Sequence, residues 1–257
     1  MNKFQKLIKK KNKSKIVCLT AYSKNIASIL DNHCDIILVG DSLGSVLYNF
    51  KSTRNVTLDM MVEHSKSVKM GVKKSLLVVD MPYNTYRSSK EALKNAKKII
   101  SQTKCDAVKL EGGSKIINIV KHLIKNKIQV QGHLGVLPQS QKGKFRYKGK
   151  KINERNKIFE EAKLLELAGV FSLVLECVET SLAKKITNYL KIPTIGIGSS
   201  PHCDGQVLVT DDLTGLNLIN VRFVKKYLNL KKTINSAVIK FKNEVKSKKF
   251  PNKKHSY

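Results

Sequence analysis

No apolar run in this 257-residue chain approaches the ~20 residues needed to cross a bilayer, which argues against a transmembrane helix. The opening stretch MNKFQKLIKKKNKSK carries charge but lacks the apolar segment of a secretory signal. Residues 7–13, LIKKKNK, make a poor amphipathic helix, so an organellar presequence is disfavoured and the cytoplasm is the expected compartment. Cysteine is sparse and scattered: Cys18, Cys34, Cys105, Cys177 and Cys203 show no CxxC spacing. That excludes a disulfide framework and argues against a thiolate zinc site, leaving reduced thiols in a reducing compartment. Arginine occurs only at positions 54, 87, 146, 155 and 222, against a formal charge of +30 carried by lysine. Nucleic-acid sites favour arginine and cluster their charge on one face. Here lysines occupy nearly every segment, so a solvated surface is expected, with no nucleic-acid partner and no membrane partner. Acidic residues number only 19, and the placement of each carboxylate is therefore informative.

Short apolar runs alternate with stretches of helical period. The runs KIVCLTAY, DIILVGDS, SLLVVDMP, DAVKLEGG, IQVQGHLG, FSLVLECV, IPTIGIGS and GQVLVTDD read as strands. Between them SKNIASILDNH, TLDMMVEHSKSVKMG, SKEALKNAKKIISQ, SKIINIVKHLIKN, NKIFEEAKLLELAG and TSLAKKITNYL read as helices. Strands alternating with helices call for a parallel sheet, and eight of them point to a closed (β/α)8 TIM barrel. An open dinucleotide-binding sheet is disfavoured because LTAYSKN, after the first strand, contains no glycine. The expected organisation is one barrel domain over residues 1–257 with short basic N-terminal and C-terminal extensions. Residues 139–153, QSQKGKFRYKGKKIN, are too long for an ordinary connection and read as a lid or binding loop.

The scarce acids fall where strands end. Asp41 closes the second strand, Asp80 the third, Glu111 the fourth and Glu176 the sixth, while His133 closes the fifth. In a barrel all these ends lie on the face that carries the active site. A lone acid after a strand is usually a helix cap, as Asp211 or Asp212 can be, but a consecutive series is not explained that way. Lys109 and Glu111, two apart, point to the same side of their strand, toward the barrel axis. Carboxylates without a neighbouring cysteine suit a hard cation, Mg²⁺ before Mn²⁺. Glycines 112 and 113 let the backbone turn sharply after Glu111. His133 has two open roles, a hydrogen bond inside the barrel or contact with substrate.

The motifs LTAY, LVGDSLG, VKLEGG, GHLGVLPQS, VLECV, IPTIGIG and CDGQVLV resemble those of the ketopantoate hydroxymethyltransferases, in family order and spacing from about residue 14 onward. The resemblance implies a (β/α)8 barrel of the phosphoenolpyruvate-utilising type. It implies transfer of a one-carbon unit from 5,10-methylenetetrahydrofolate to 3-methyl-2-oxobutanoate through a Mg²⁺-stabilised enolate. The product would be 2-dehydropantoate, at the first step of pantothenate biosynthesis. Carried over by motif, Asp41, Asp80 and Glu111 form the Mg²⁺ site. Asp41, Ser42, Asp80, Lys109 and His133 lie against the keto acid, and Glu176 is the proton acceptor. A homodecamer is implied by analogy. The chain departs from the pattern at Ser23, where aspartate is usual, and at Ser200, where glycine is usual and a backbone misfit is expected. It also lacks a glycine in NFKST and about two residues in the 139–153 loop. These departures bear on folate binding and loop closure more than on enolisation. A mutase or lyase on another 2-oxo acid, and a lysine-rich nucleic-acid-binding protein without catalysis, are the rival readings. GHLGVLPQS and VLECV argue against the first, and the strand-end acids against the second.

Overall fold

The structure is a computed structural model that describes residues 2–140, 146–217 and 221–257. It divides into two compact units, Met1–Val209 and Thr210–Tyr257. In the first unit each expected apolar run contains a strand: β1 (Ile16–Thr20), β2 (Ile36–Val39), β3 (Leu76–Asp80), β4 (Ala107–Glu111), β5 (Val130–Gly135), β6 (Ser172–Glu176), β7 (Thr194–Ile197) and β8 (Gly205–Leu208). Neighbours pair in parallel, and β8 pairs back to β1, so the sheet closes into a barrel.

Side-chain alternation explains why these runs stay apolar throughout. Ile36 and Leu38 pack inside the barrel with Leu76, Val78, Ala107 and Val174. Their neighbours Ile37, Val39, Leu77, Val79, Val108 and Leu110 pack outward against the helices. A strand buried on both faces cannot show polar alternation until it reaches an end. Among the described residues the covering helices are the six that the sequence periodicity indicates and two that it does not, Lys3–Lys10 and Leu43–Tyr48. They are α1 (Lys3–Lys10), α2 (Lys24–Leu30), α3 (Leu43–Tyr48), α4 (Leu58–Gly71), α5 (Ser89–Thr103), α6 (Ile117–Lys125), α7 (Ile152–Ala168) and α8 (Thr180–Tyr189). Thr57 and Ser88 cap α4 and α5 by accepting the N–H of Met60 and Glu91, both at 3.2 Å.

The N-terminal stretch departs from expectation. Where residues 7–13 were expected to make a poor amphipathic helix, residues 3–10 form α1, capped by Asn2 in a capping box with Gln5. Phe4 and Leu7, one turn apart, provide its apolar face: Leu7 is buried and Phe4 lies edge-on to Phe171 at 5.0 Å. Three lysines then bind acids that precede strands. Lys3 reaches Asp106 at 3.0 Å, Lys10 pairs with Asp35, and Lys11 reaches Asp204 at 2.9 Å. The helix thus closes the N-terminal end of the barrel, opposite the end where the catalytic candidates lie.

The second unit contains α9 (Thr210–Leu213) and α10 (Leu230–Lys246). The strand expected to run to Asp212 stops at Leu208, because Thr210, Asp211 and Asp212 open α9. Along α10, Ile234, Val238, Ile239, Phe241 and Val245 are exposed, and Phe241 packs edge-on with Phe250 at 5.4 Å.

Candidate active site

Asp41, Asp80, Lys109, Glu111 and His133 are all buried at the C-terminal mouth of the barrel, and Glu176 is only partly exposed there. The register explains the convergence. Asp80 sits opposite Lys109 across β3 and β4, Glu111 opposite His133 across β4 and β5, and Gly135 opposite Glu176 across β5 and β6. Asp41 lies two residues beyond β2, where its own N–H donates to Asp80 Oδ2 at 3.0 Å. Ser42 follows it, with its hydroxyl 2.8 Å from the Tyr22 hydroxyl. Gly112, at φ +133°, turns the chain after Glu111 so that its N–H reaches the His133 carbonyl at 3.1 Å.

A row of close approaches runs across the mouth. Lys109 Nζ lies 3.1 Å from Asp80 Oδ1 and 3.2 Å from His133 Nδ1. His133 Nε2 lies 3.2 Å from Glu176 Oε2. Neither Asp80 Oδ1 nor His133 Nε2 meets an aligned hydrogen-bond partner, so the first and last of these are charge or dipole approaches rather than formed hydrogen bonds. His133 therefore sits between the ammonium and the carboxylate of the proton-acceptor candidate, enclosed by the barrel.

Electrostatics follow from four carboxyls facing one ammonium. Burial, and next the charge of Asp80, push the Asp41 carboxyl up to about 7. Burial and Asp41 likewise raise Glu111 well above the ordinary carboxyl range. Burial opposes the charge on Lys109, but Asp80, Glu111 and Asp41 outweigh it and hold the ammonium above its usual range. Burial, then Lys109, lowers His133, which favours a neutral imidazole.

Three contributors were not singled out from the sequence. Gln139 is buried among the acids, with its side-chain nitrogen 2.8 Å from Asp41 Oδ2 and its main-chain N–H donating to Glu111 Oε2 at 3.0 Å. The Tyr86 hydroxyl donates to Gln139 Oε1, and Tyr22 supports Ser42. The one sequence signal for Gln139 and Tyr22 was membership of the GVLPQS and LTAY motifs, whose direction in space depends on the fold, and Tyr86 had none. Of the expected lid, residues 141–145 lie outside the described residues. Its returning limb runs beside β6, where the Lys148 N–H donates to the Cys177 carbonyl at 2.8 Å. The misfit expected at Ser200 does not arise: its backbone lies outside the left-handed region, which Gly198 occupies at φ +57°. Ser200 Oγ instead accepts the His202 N–H at 3.2 Å.

A sequence model of the family described as ketopantoate hydroxymethyltransferase matches residues 1–253. The chain belongs to that family. It is 72% identical over 255 residues to the 3-methyl-2-oxobutanoate hydroxymethyltransferase of Pelagibacter ubique (strain HTCC1062), covering 99% of each chain. It is 47% identical over 250 residues to the enzyme of that name from Anaplasma marginale (strain St. Maries), covering 96% of this chain and 90% of that one. The barrel superposes on phosphonopyruvate hydrolase in complex with oxalate and Mg²⁺ with a TM-score of 0.63 at 10% identity, covering 99% and 93% of the two chains. It also superposes on 2,3-dimethylmalate lyase, a PEP mutase/isocitrate lyase superfamily member, with a TM-score of 0.60 at 10% identity and coverage of 96% and 99%. At that identity the likeness concerns the fold.

A divalent cation fits the mouth of this hydroxymethyltransferase-family barrel on two observations. Asp80 Oδ1 is a buried carboxylate oxygen that accepts no aligned hydrogen bond, and burial together with the charge of Asp80 pushes the Asp41 carboxyl up to about 7, so that a cation there would relieve both. Both groups are hard oxygen donors of the kind Mg²⁺ takes. Among the described residues no three His, Cys, Asp or Glu side chains converge as a ready-made metal group. Asp41 and Asp80 are brought together, while Glu111 is directed to the Gln139 N–H, with its other oxygen 3.7 Å from His133 Nδ1.

Proposed function

We propose that this chain transfers a hydroxymethyl group from 5,10-methylenetetrahydrofolate to 3-methyl-2-oxobutanoate, giving 2-dehydropantoate at the first step of pantothenate biosynthesis. The names of the two relatives support the keto acid as substrate, and family membership supports the reaction class. The observation that carries the reading is the row from Asp80 through Lys109 and His133 to Glu176, which sets a fixed cation and a carboxylate base on either side of one imidazole.

Asp41 and Asp80 would hold Mg²⁺, with Glu111 supporting that site through Gln139. When bound, the cation supplies Lewis acidity toward the 2-oxo acid. Lys109, charged because three carboxyls surround it, stabilises the negative charge that develops on the 2-oxo group. Ser42, steadied by Tyr22, offers a hydroxyl to the keto acid. Glu176 takes the C3 proton, and the electron pair left on C3 forms the new bond to the folate-borne methylene carbon as one carbon–nitrogen pair returns to the folate nitrogen; water then replaces the remaining folate nitrogen on that carbon, supplying the hydroxyl and releasing tetrahydrofolate. His133 faces Glu176 with Nε2 at 3.2 Å, its neutral ring being favoured by burial and by Lys109. The exposed apolar side chains of α10 support assembly with further copies of the chain, and a homodecamer is the proposed state.

The test is Mg²⁺-dependent hydrogen exchange at C3 of the keto acid without folate. Glu176→Gln keeps the shape and removes the acceptor, so exchange should fall by roughly 10²-fold or more while keto-acid binding changes little. Exchange at the wild-type rate would remove Glu176 as the base and transfer that role to His133.

A further inference from the structure

The side-chain amide of Gln139 is 2% exposed and fully engaged. Its nitrogen donates to Asp41 Oδ2 at 2.8 Å and to the Met81 carbonyl at 3.0 Å. An ionised carboxylate and a carbonyl can only accept, so the orientation of the amide is determined by its partners. The Tyr86 hydroxyl closes the set by donating to Oε1. The main chain is held as firmly: its N–H goes to Glu111 Oε2 at 3.0 Å, and its carbonyl accepts from Arg54 Nε at 2.8 Å.

The consequence lies in which carboxylate oxygens remain open. Gln139 occupies Asp41 Oδ2, and the Asp41 N–H occupies Asp80 Oδ2 at 3.0 Å. Asp80 Oδ1 has only the unaligned approach of Lys109, and the Gln139 bond lands on Asp41 Oδ2 rather than Oδ1. Each carboxylate of the pair thus presents one oxygen and has the other tied to an N–H.

We propose that Gln139 is a positioning residue that sets cation selectivity, by confining Asp41 to one-oxygen coordination and so favouring Mg²⁺ over Ca²⁺. This rests on the reading that Asp41 and Asp80 hold the cation. Ca²⁺ gathers about six to eight oxygens and readily takes a carboxylate through both, whereas Mg²⁺ keeps waters and uses few carboxylate oxygens. Two-oxygen coordination by Asp41 would compete with Gln139 for Oδ2 and weaken the hold on a buried amide donor. One-oxygen coordination leaves that bond intact. Tyr86 acts through Gln139: without its hydroxyl the amide loses the partner that keeps Oε1 turned away from Asp41.

The test is calorimetric titration of MgCl₂ and of CaCl₂, without substrate, into the wild type, Gln139→Met and Tyr86→Phe. Methionine keeps the length and burial of the side chain and donates nothing. In Gln139→Met the Mg²⁺ affinity should fall by on the order of tenfold or more, the usual scale for losing a partner of a metal ligand. Ca²⁺ affinity should fall less, so the ratio of the two affinities should move toward Ca²⁺ by at least about threefold. Tyr86→Phe, which removes a single oxygen, should move the ratio the same way by a smaller factor, and it decides the matter if Gln139→Met fails to fold. A merely structural role would lower both affinities alike. An unchanged ratio in a wild type that binds Mg²⁺ would overturn the role of Gln139 alone. A wild type that binds neither cation would overturn the cation site itself, and this inference with it.

Discussion

Asp41→Asn should make the cation-free protein more stable above neutral pH, although it removes a candidate cation ligand. Burial and the charge of Asp80 raise the Asp41 carboxyl from an ordinary 3.8 to about 7 in the folded state. A group with a higher folded pKa binds its proton more tightly in the native protein. Its contribution to stability is therefore present in full below about 3.8 and is lost as pH climbs through about 7. Completed, that loss amounts to about 4 kcal/mol for an independent group. Because Asp41 shares its field with Glu111, part of the relief is redistributed, and about 2–4 kcal/mol is expected. Asparagine keeps the shape and still accepts from Gln139 Nε2 through its own carbonyl oxygen. Denaturant unfolding in EDTA at pH 4, 6 and 8 reads the effect. The variant should match the wild type near pH 4, gain steadily to pH 7 and level off above it, with a melting temperature higher by roughly 4–12 °C at pH 8. Added Mg²⁺ should reverse the order by stabilising the wild type alone, by about 2.7 kcal/mol at a hundredfold excess over its dissociation constant. A variant no more stable than the wild type at pH 8 in EDTA would refute the argument that buried negative charge is stored at Asp41.

Two further outcomes test other parts of the barrel. Lys11→Met leaves the buried Asp204 carboxylate without its ammonium, but the Thr194 N–H and hydroxyl and the Asn12 N–H still donate to it. It should cost about 3 kcal/mol in urea unfolding with little change in C3 exchange, and a loss below about 1 kcal/mol would show that α1 is not held by this pair. Gly135→Ala places a Cβ against the main-chain oxygen of Glu176 at a φ of +100°. C3 exchange should then fall by about 10²-fold, as expected for a shift of the base near 1 Å, and undiminished exchange would separate Gly135 from the position of Glu176.

The strands and most helices were legible because each is a local pattern: apolar runs bounded by polar residues, and apolar stripes at helical spacing behind Thr57 or Ser88. Spacing by two placed Lys109 and Glu111 on one side of β4, and both are found at the mouth. Less legible was α1, since in residues 3–10 only Phe4 and Leu7 form its buried face, and that face gains meaning from Phe171 across the barrel floor. Gln139 escaped notice because nothing local marks a glutamine after proline as buried; its partners come from β2, β3 and β4.

The scarce acids show the division most clearly. Sequence alone determined that Asp41, Asp80, Glu111 and Glu176 end buried strands, because a charge in such a place interrupts a run that burial on both faces otherwise keeps apolar. Asp35, Asp106 and Asp204 stand just before strands and look like ordinary boundary residues. Only closure of the barrel gathered them at its other end, against lysines 3, 10 and 11. The neighbours of His133 likewise came from register, which places the imidazole within 3.2 Å of both Lys109 and Glu176. Local sequence specifies which residues lie at a strand end. Which ends meet, at what distance and with what charge between them, depends on the pairing of segments far apart in the chain.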